Sequence, residues 1–250
     1  MNKKESKPVI QVKHLVAKYG EKTILEDISV DIFEEEITVI LGGSGCGKTT
    51  LLKNILQLQK PASGQIEVFG KDITKLDEVE YEKILNKFGV LFQNGALLNS
   101  VDIYENISIP LEQHTALPEE LRKKIIEVKL NLVNLSQAMY LKPSELSGGM
   151  RKRAALARAI ALDPEILFCD EPSAGLDPLT SASLDELILN LKNQLKMSVL
   201  IVTHELASIH RIADKIIFLD GGKMLFNGTV DEAKNSGIEQ IMTFFKVGSF

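Results

Sequence analysis

A glycine-rich octapeptide directly after an apolar run is the feature that most constrains how this chain can fold. The run ITVIL (residues 37–41) is continuously apolar, which is typical of a strand covered on both faces. GGSGCGKT (residues 42–49) follows it, and leucine and isoleucine then recur at helical spacing. The octapeptide fits the pattern G-x-x-x-x-G-K-[ST], so strand, loop and helix together predict a phosphate-binding loop.

The residue types in this loop match the needs of a bound nucleotide. Its glycines let the backbone curl so that several N–H groups can point at phosphate oxygens. Lys48 supplies a cation for the β- and γ-phosphates, and Thr49 offers a hydroxyl to Mg²⁺. We interpret Cys46, which lies inside the loop, as a small filling residue.

Polar side chains that follow other strand-like runs are candidates for the chemistry. Asp170 and Glu171 end the run EILFCDE, where one acid can hold Mg²⁺ and the other can polarise an attacking water. An amide at Gln93 could reach the metal or the water, and an imidazole at His204 could contact a γ-phosphate. Tyr19 could stack on a base. Taken alone, each has an ordinary alternative, namely solvated acids, a polar loop residue, a structural histidine or a tyrosine packed in the core.

A second anion site is predicted much further along the chain. In SELSGGMRKRAALARAIAL (residues 144–162), Ser147, Gly148 and Gly149 open an Ala- and Arg-rich helix. Two glycines at a helix start leave backbone N–H groups bare, and the start of a helix carries partial positive charge. The segment therefore predicts a place that can hold a negatively charged group.

The composition argues against several classes of protein for this chain. The 250 residues include 29 basic and 34 acidic side chains, a net charge of −5, which argues against a dedicated nucleic-acid binder. Cys46 and Cys169 are too few for a disulfide framework and are expected as reduced thiols in a cytosolic protein. The start MNKKESKPVI contains no apolar signal segment. No apolar stretch approaches the roughly 20 residues of a membrane helix, so any membrane role is expected to come through a partner.

Strands that alternate with helices predict an α/β fold built on a parallel-type sheet. We predict a flexible arm over residues 1–8, one domain over residues 9–245, and a C-terminal tail over residues 246–250. Residues of about 72–163 are predicted to form a helical subdomain inserted in that domain. Within it, a helix that begins near Pro118 is expected to bury one apolar face, formed by Leu121, Ile125, Val128 and Leu132.

The motifs, taken in chain order, resemble those of ABC transporter ATP-binding subunits over nearly the whole chain. The matched pieces are Tyr19 as the base-stacking aromatic, residues 42–49 as Walker A, Gln93 as the Q-loop, LSGGM (146–150) as the signature, ILFCDE (166–171) as Walker B, SAGLD (173–177) as the D-loop and His204 as the switch histidine. The signature departs from the family at its last position, where Met150 replaces the usual glutamine.

The resemblance implies a fold, two cofactors and a set of roles. The implied fold is a P-loop NTPase core of the ABC type, with a helical subdomain insertion and an N-terminal antiparallel β region, which binds ATP and Mg²⁺. The implied catalytic residues are Glu171, His204 and Gln93, and the implied metal ligands are Thr49, Gln93 and Asp170. The implied ATP-binding residues are Tyr19, Gly42, Gly43, Ser44, Gly45, Cys46, Gly47, Lys48, Thr49 and Thr50. Ser147, Gly148 and Gly149 are implied to face the ATP of a partner copy, with Asp177 near the same dimer seam.

Two longer segments, FQNGALLNSVDIYENISIPLEQHTALP and PSELSGGMRKRAALARAIALDPEILFCDEPSAGLDP, resemble the Mla-type (MlaF-like) ATPases of systems that move phospholipids between inner and outer membranes. This resemblance implies a homodimer when ATP is bound and integral-membrane permease subunits docked near residues 96–109. It also implies lipid-binding Mce-type and accessory subunits, no nucleic-acid partner, and a peripheral position on the cytoplasmic face of the inner membrane.

The sequence alone is also compatible with other functions. An importer-type ABC ATPase for another small solute would share many of these motifs. A soluble ABC ATPase that acts on nucleic acid is a further alternative, although such proteins usually carry two cassettes and this chain has one Walker A motif. A P-loop GTPase or small-molecule kinase would leave the LSGG segment without a role, and the guanine motif N-K-x-D does not occur.

Overall fold

The computed structural model describes residues 7–247, so residues 1–6 of the predicted arm and residues 248–250 of the predicted tail lie outside the described residues. The strands are β1 (Pro8–Tyr19), β2 (Lys22–Phe33), β3 (Ile37–Gly42), β4 (Ser63–Val68), β5 (Lys71–Asp72), β6 (Phe88–Leu91), β7 (Ile166–Asp170), β8 (Ser198–Val202), β9 (Lys215–Asp220) and β10 (Lys223–Gly228). The α-helices are α1 (Lys48–Ile55), α2 (Glu78–Leu85), α3 (Ile103–His114), α4 (Glu119–Leu132), α5 (Gly148–Ala159), α6 (Pro178–Leu195), α7 (Leu206–Ile212), α8 (Val230–Lys234) and α9 (Glu239–Val247).

The described chain divides into two compact units. The first unit combines the residues up to Ile84 with those from Ser198 onward, and the second unit is Leu85–Met197. The second unit contains β6, β7 and α6 as well as the helices α3 to α5, so its limits are not those of the predicted insertion, which stays a prediction. The α/β class predicted from the sequence is confirmed, because both units contain α-helices and β-strands.

An antiparallel sheet in the first unit has the strand order β2-β1-β4-β5. Along β1, buried Ile10, Val12 and Leu15 place one face against the core while charged neighbours such as Lys13 stay accessible. The turn between β2 and β3 carries the acidic run FEEEI, with Glu35 in the left-handed region at φ 57°. The N-terminal antiparallel β region that the sequence led us to expect is present.

A second sheet in the first unit places β3 between β8 and β9, with all three strands parallel. Every residue of β3 and β8 is buried, which is why these segments read as continuous apolar runs rather than as alternating ones. β10 adds to β9 in the antiparallel sense through the glycine turn. The carboxyl ends of β3 and β8 lie at the same edge of this sheet.

The second unit contains the parallel pair β6 and β7 and the α-helices α3 to α6, of which α5 packs on β6. Asp102 begins α3 with a capping box, since its carboxylate accepts from Glu105 N at 2.8 Å and its N–H donates to the Glu105 carboxylate at 3.1 Å. Asn106, fully buried on α3, accepts from Leu98 N at 2.8 Å and donates to Leu98 O at 3.1 Å. These bonds fix the segment between β6 and α3.

The buried face of α4 differs from the predicted one. Leu121 and Val128 are 45% and 57% exposed, whereas Ile126, Lys129 and Leu130 are buried. The prediction of the apolar face was therefore wrong. The cause is Lys129, whose aliphatic stem is buried while its ammonium lies 2.5 Å from the Asp163 carboxylate. A position that faces the core is therefore occupied by a charged residue, which the apolar pattern does not include.

Within residues 7–247, no helix combines the length and the apolar content needed to cross a bilayer. Residues 246 and 247 of the predicted tail end α9, and before them the rings of Phe244 and Phe218 meet edge to face at 5.5 Å. The Phe245 ring lies 5.6 Å from the ring of His210 on α7. The part of α9 that precedes the predicted tail therefore packs on its own chain.

Replacement of Asn106 by alanine is expected to lower the free energy of unfolding by about 1–3 kcal/mol, because the Leu98 N–H and C=O lose their partner. Urea unfolding followed by circular dichroism measures the change. The control is Asn99→Ala, at an exposed asparagine in the same segment, which should stay within about 0.5 kcal/mol of the parent. Equal effects of the two substitutions would contradict the anchoring role of Asn106.

Candidate functional site

The predicted phosphate-binding loop lies at the end of β3 in the first unit. β3 ends at Gly42, and α1 begins at Lys48. Lys48 Nζ donates to the carbonyl oxygens of Gly42 and Gly43, both at 2.9 Å, which folds the lysine back along the loop. Residues 43–45 and Thr49 are exposed, whereas Cys46 and Thr50 are buried, so the tip of the loop and the Thr49 hydroxyl are accessible to a ligand.

Two glycines of this loop are required by space and by backbone conformation. Gly42 has φ 143°, and a Cβ there would lie 2.0 Å from the Leu219 carbonyl oxygen on β9. Gly47 has φ 107°, and a Cβ there would lie 2.4 Å from Leu25 Cδ2 on β2. Because no other residue fits either position, the glycine pattern that predicted the loop reflects close approach of β2 and β9.

His204 and Tyr19 also belong to the first unit. Ile40 of β3 lies opposite Val202 of β8, so His204, which follows two residues later, is at the same sheet edge as the loop that begins at Gly42. The His204 side chain is exposed. Tyr19, the last residue of β1, is 51% exposed, so its ring is available for stacking and the core-packing alternative does not hold.

Gln93 and the carboxylate pair lie together at the carboxyl edge of the parallel pair in the second unit. Leu91 of β6 is opposite Cys169 of β7, so Gln93 follows one strand where Asp170 and Glu171 end the other. Gln93 is exposed, and both acids are partly buried. Glu171 takes the left-handed conformation at φ 46°, which is rare for a residue with a Cβ.

The signature segment begins α5 as the sequence predicted. Ser147 is the N-cap, and its Oγ accepts a hydrogen bond from Met150 N at 3.3 Å. The N–H groups of Gly148 and Gly149 belong to the first turn, ahead of the hydrogen-bond ladder of the helix. Ser147 is exposed and both glycines are partly exposed, so the positive end of α5 is open to an anion.

Asp177 lies close to this helix start through Thr180. It caps α6 by accepting from Leu179 N and Thr180 N, both at 3.1 Å, and its other oxygen accepts from Thr180 Oγ1 at 2.5 Å. These bonds, the one from Thr180 Oγ1 above all, lower the pKa of the Asp177 carboxyl and keep it ionised. A Cβ at Gly149 would lie 2.6 Å from Thr180 Cγ2, so the signature needs glycine here to pack beside α6.

A cleft of about 290 Å³ in the second unit brings three predicted motifs together. Its walls are formed by the Q-loop at Gln93, the signature at Gly148 and residues 174–176. The second unit thus gathers the Q-loop, the signature and the D-loop around one cleft.

Two cations on α5 were not identified from the sequence. Lys152, 7% exposed, donates to Gln93 O and to Glu171 O. Arg158 donates to Gly95 O at 2.8 Å and to Ala96 O at 2.7 Å. The signal in the sequence was a lysine and an arginine on either side of Ala154, Ala155, Leu156 and Ala157, which are buried. Charged residues on such a face need fixed polar partners.

The comparisons with known proteins agree with this geometry. A family model described as ABC transporter matches residues 25–174, and this chain belongs to the ABC transporter family. It is an ATP-binding subunit of that family and hydrolyses ATP. The predicted P-loop NTPase fold of the ABC type is confirmed.

Among its relatives is the intermembrane phospholipid transport system ATP-binding protein MlaF of Haemophilus influenzae, which is 39% identical over 95% of this chain and 90% of the relative. The probable ribonucleotide transport ATP-binding protein mkl of Mycobacterium leprae is 43% identical over 83% of this chain, which spans 60% of that relative's length. The dimeric, post-hydrolysis structure of the ATP-binding cassette MJ0796 with ADP and Pi superimposes with a TM-score of 0.80 at 31% identity, over 88% of this chain and 98% of that one.

Replacement of Gly149 by alanine is expected to lower the free energy of unfolding by about 1–3 kcal/mol, because the new methyl group overlaps Thr180. Gly148→Ala is the matched control. Its Cβ would meet Leu176 at 3.5 Å, an ordinary contact, so its stability should stay within about 0.5 kcal/mol of the parent or rise. Urea titration measures both, and a more stable Gly149→Ala variant would refute the tight packing.

Proposed function

We propose that this chain is the ATP-hydrolysing subunit of a phospholipid transport complex that works between an inner and an outer membrane. The observation that carries the proposal is the length of the match to the Haemophilus MlaF protein, which covers 95% of this chain and 90% of the relative. The mkl protein matches over 60% of its own length and includes a region that this chain does not span. The complex would hold this subunit at the cytoplasmic face of the inner membrane.

The proposed chemistry follows from the residue types at the strand ends. Tyr19 stacks on the adenine, and the backbone of residues 42–47 with Lys48 and Thr50 binds the phosphates. Glu171 takes a proton from the attacking water as the general base. Gln93 orients that water, and His204 donates a hydrogen bond to the γ-phosphate.

The proposed Mg²⁺ site uses oxygen donors alone, from Thr49, Gln93 and Asp170. Within the described residues, no group of three His, Cys, Asp or Glu side chains could hold a metal ion. A hydroxyl, an amide oxygen and a carboxylate, completed by phosphates of the nucleotide, nevertheless fit Mg²⁺, which is commonly bound by one or two carboxylates and substrate phosphates. When bound, the ion neutralises charge on the β- and γ-phosphates.

The proposed active form is a homodimer with two shared sites. The exposed start of α5 has room for an anion, and Lys48 lies in the other compact unit. In the dimer, Ser147, Gly148 and Gly149 of one copy face the γ-phosphate bound by the other, and Asp177 lies at the seam. The dimeric MJ0796 cassette supports this arrangement, since it was observed with ADP and Pi.

The proposed surface for the integral-membrane subunits is residues 96–109. Leu98 is 49% exposed, although its backbone is fixed by Asn106. A groove of about 440 Å³ continues this surface along α3, lined by Val101, Tyr104 and Ile109 among other residues. An exposed apolar side chain on a rigid segment is suited to bind a helix of a partner. Mce-type and accessory subunits are proposed as further members of the complex.

A second candidate function is the import of another small solute. The name of the mkl protein refers to ribonucleotide transport, and that protein is 43% identical over its matched region. Both functions use the same ATPase chemistry, so the transported molecule must be tested directly. Action on nucleic acid is less well supported, because the net charge of the chain is −5.

Replacement of Glu171 by glutamine is expected to lower ATP turnover by about 10²–10⁴-fold while ATP still binds, because the general base is lost and the phosphate contacts remain. Turnover is measured by phosphate release, and binding by a fluorescent ATP analogue. The same variant should accumulate as an ATP-bound dimer in size-exclusion chromatography. Lys48→Ala is the contrasting variant, which should lose nucleotide binding. Near-normal hydrolysis by Glu171→Gln would remove Glu171 from the mechanism.

Replacement of Leu98 by aspartate is expected to abolish co-purification of integral-membrane subunits in mild detergent, because a charge then lies on the docking surface. Leu58→Asp is the control, at a leucine that is 62% exposed and outside residues 96–109. Mass spectrometry of the captured proteins and lipids measures both outcomes. Phospholipid enriched with the complex, and ATP turnover stimulated by phospholipid rather than by ribonucleotides, would support lipid transport. The reverse pattern would favour the second candidate.

A further inference from the structure

Lys152 is a buried cation that the proposed ATP chemistry does not use. It lies in α5, is 7% exposed, and donates to Gln93 O and, at 3.3 Å, to Glu171 O. Its two hydrogen-bond acceptors are neutral carbonyl oxygens on different segments, the loop after β6 and the turn after β7. The ammonium therefore ties α5 to the two segments that carry the proposed water-orienting and general-base side chains.

The turn at Glu171 needs support of this kind. Glu171 has φ 46°, in the left-handed region that is unfavourable for a residue with a Cβ. Its carbonyl oxygen accepts from Ala174 N at 3.2 Å as well as from Lys152. Because the backbone conformation at Glu171 sets the direction of its carboxylate, a bond that holds this peptide also aims the side chain.

Arg158 makes the same kind of contact on the loop after β6. Its guanidinium donates to Gly95 O and to Ala96 O, and Ala96 is also left-handed, at φ 49°. Lys152 and Arg158 are six residues apart in α5, about 9 Å along the helix axis. The loop is therefore attached to α5 at Gln93 by one cation and at residues 95–96 by the other.

The surroundings of Lys152 disfavour its charged form. Burial lowers the pKa of the Lys152 ammonium, while the nearby carboxylates of Glu171 and Asp170 favour its charged form. A buried ammonium needs hydrogen-bond acceptors in fixed positions, and the two carbonyl oxygens supply them.

We propose that Lys152 is a positioning residue for ATP hydrolysis, which holds the Gln93 loop and the Glu171 turn on the signature helix as one body. The proposal rests on the roles proposed above for Gln93 and Glu171. Loss of the ammonium would free the Glu171 turn and the Gln93 end of the loop from α5, while Arg158 still holds residues 95–96. The phosphate-binding loop, which belongs to the first unit, keeps its own contacts. A defect in turnover with little defect in nucleotide binding is the consequence.

Lys152→Met tests this proposal with Lys129→Met as its matched control. Both lysines are buried in helices of the second unit, but among the described residues the Lys129 ammonium donates to the exposed Asp163 and to neither segment. Lys152→Met is expected to lower kcat for ATP by about 10- to 100-fold, since small misplacement of catalytic groups has effects of this size. Its affinity for the ATP analogue should stay within about threefold of the parent, because the contacts that bind the nucleotide are not removed. Lys129→Met should retain kcat at a temperature where both variants are folded.

Two further readouts separate positioning from loss of structure. Hydrogen–deuterium exchange of the nucleotide-free protein should speed up around residue 93 and at residues 171–176 in Lys152→Met and not in Lys129→Met. Lys152→Arg should regain much of the lost turnover, because its planar fork can donate to both carbonyl oxygens. Glu171→Gln should leave the exchange unchanged, because it keeps the backbone contacts of this turn. The exchange measurement therefore tests the role of Lys152 independently of the role proposed for Glu171.

The outcomes are decisive in both directions. A loss of kcat with retained binding, faster exchange in both segments and recovery by arginine would support the positioning role. Unchanged kcat in Lys152→Met, a loss equal to that of Lys129→Met, unchanged exchange, or no recovery by arginine would overturn it.

Discussion

Sharp turns at the carboxyl ends of parallel strands are the constraint on which the functional segments of this protein depend. A strand that ends in such a turn must place its next residues in backbone conformations that side chains disfavour. The first unit meets this constraint with glycine, at Gly42 and Gly47, where neighbouring strands leave no space for a Cβ. The second unit keeps residues with side chains, Ala96 and Glu171, and holds their carbonyl oxygens with cations of α5.

This difference has a chemical reason in the proposed mechanism. A loop that binds phosphate uses its backbone N–H groups, so glycine loses nothing and allows close approach. A turn that supplies a general base needs a carboxylate, so glycine cannot replace Glu171 and the strained peptide must be stabilised from outside. The signature helix α5 supplies that stabilisation from Lys152 while its start, at Ser147, offers N–H groups to an anion. Helix α5 thus both stabilises the Glu171 turn and offers N–H groups to an anion.

Much of the fold and of the site could be predicted from the sequence, because the key segments carry local signals. The apolar run before Gly42 and the glycine spacing after it identify a strand, a loop and a helix without tertiary information. Cation anchors such as Lys152 could not be predicted, because their acceptors are carbonyl oxygens, which every residue has. The face of α4 was predicted wrongly for a related reason, since the buried stem of Lys129 is hidden behind a charge that reaches Asp163.

Mixed dimers test most directly whether each ATP is completed by a second copy. One preparation pairs a Lys48→Ala chain with a Ser147→Arg chain, so that one of the two shared sites keeps an intact Lys48 and an intact Ser147. The other pairs a chain that carries both substitutions with an unaltered chain, which leaves no shared site intact. With the two chains of each pair fused so that they cannot exchange, the account predicts ATP turnover in the first pair and almost none in the second. Turnover in the second pair and none in the first would show that one copy builds the whole site, and would contradict the account.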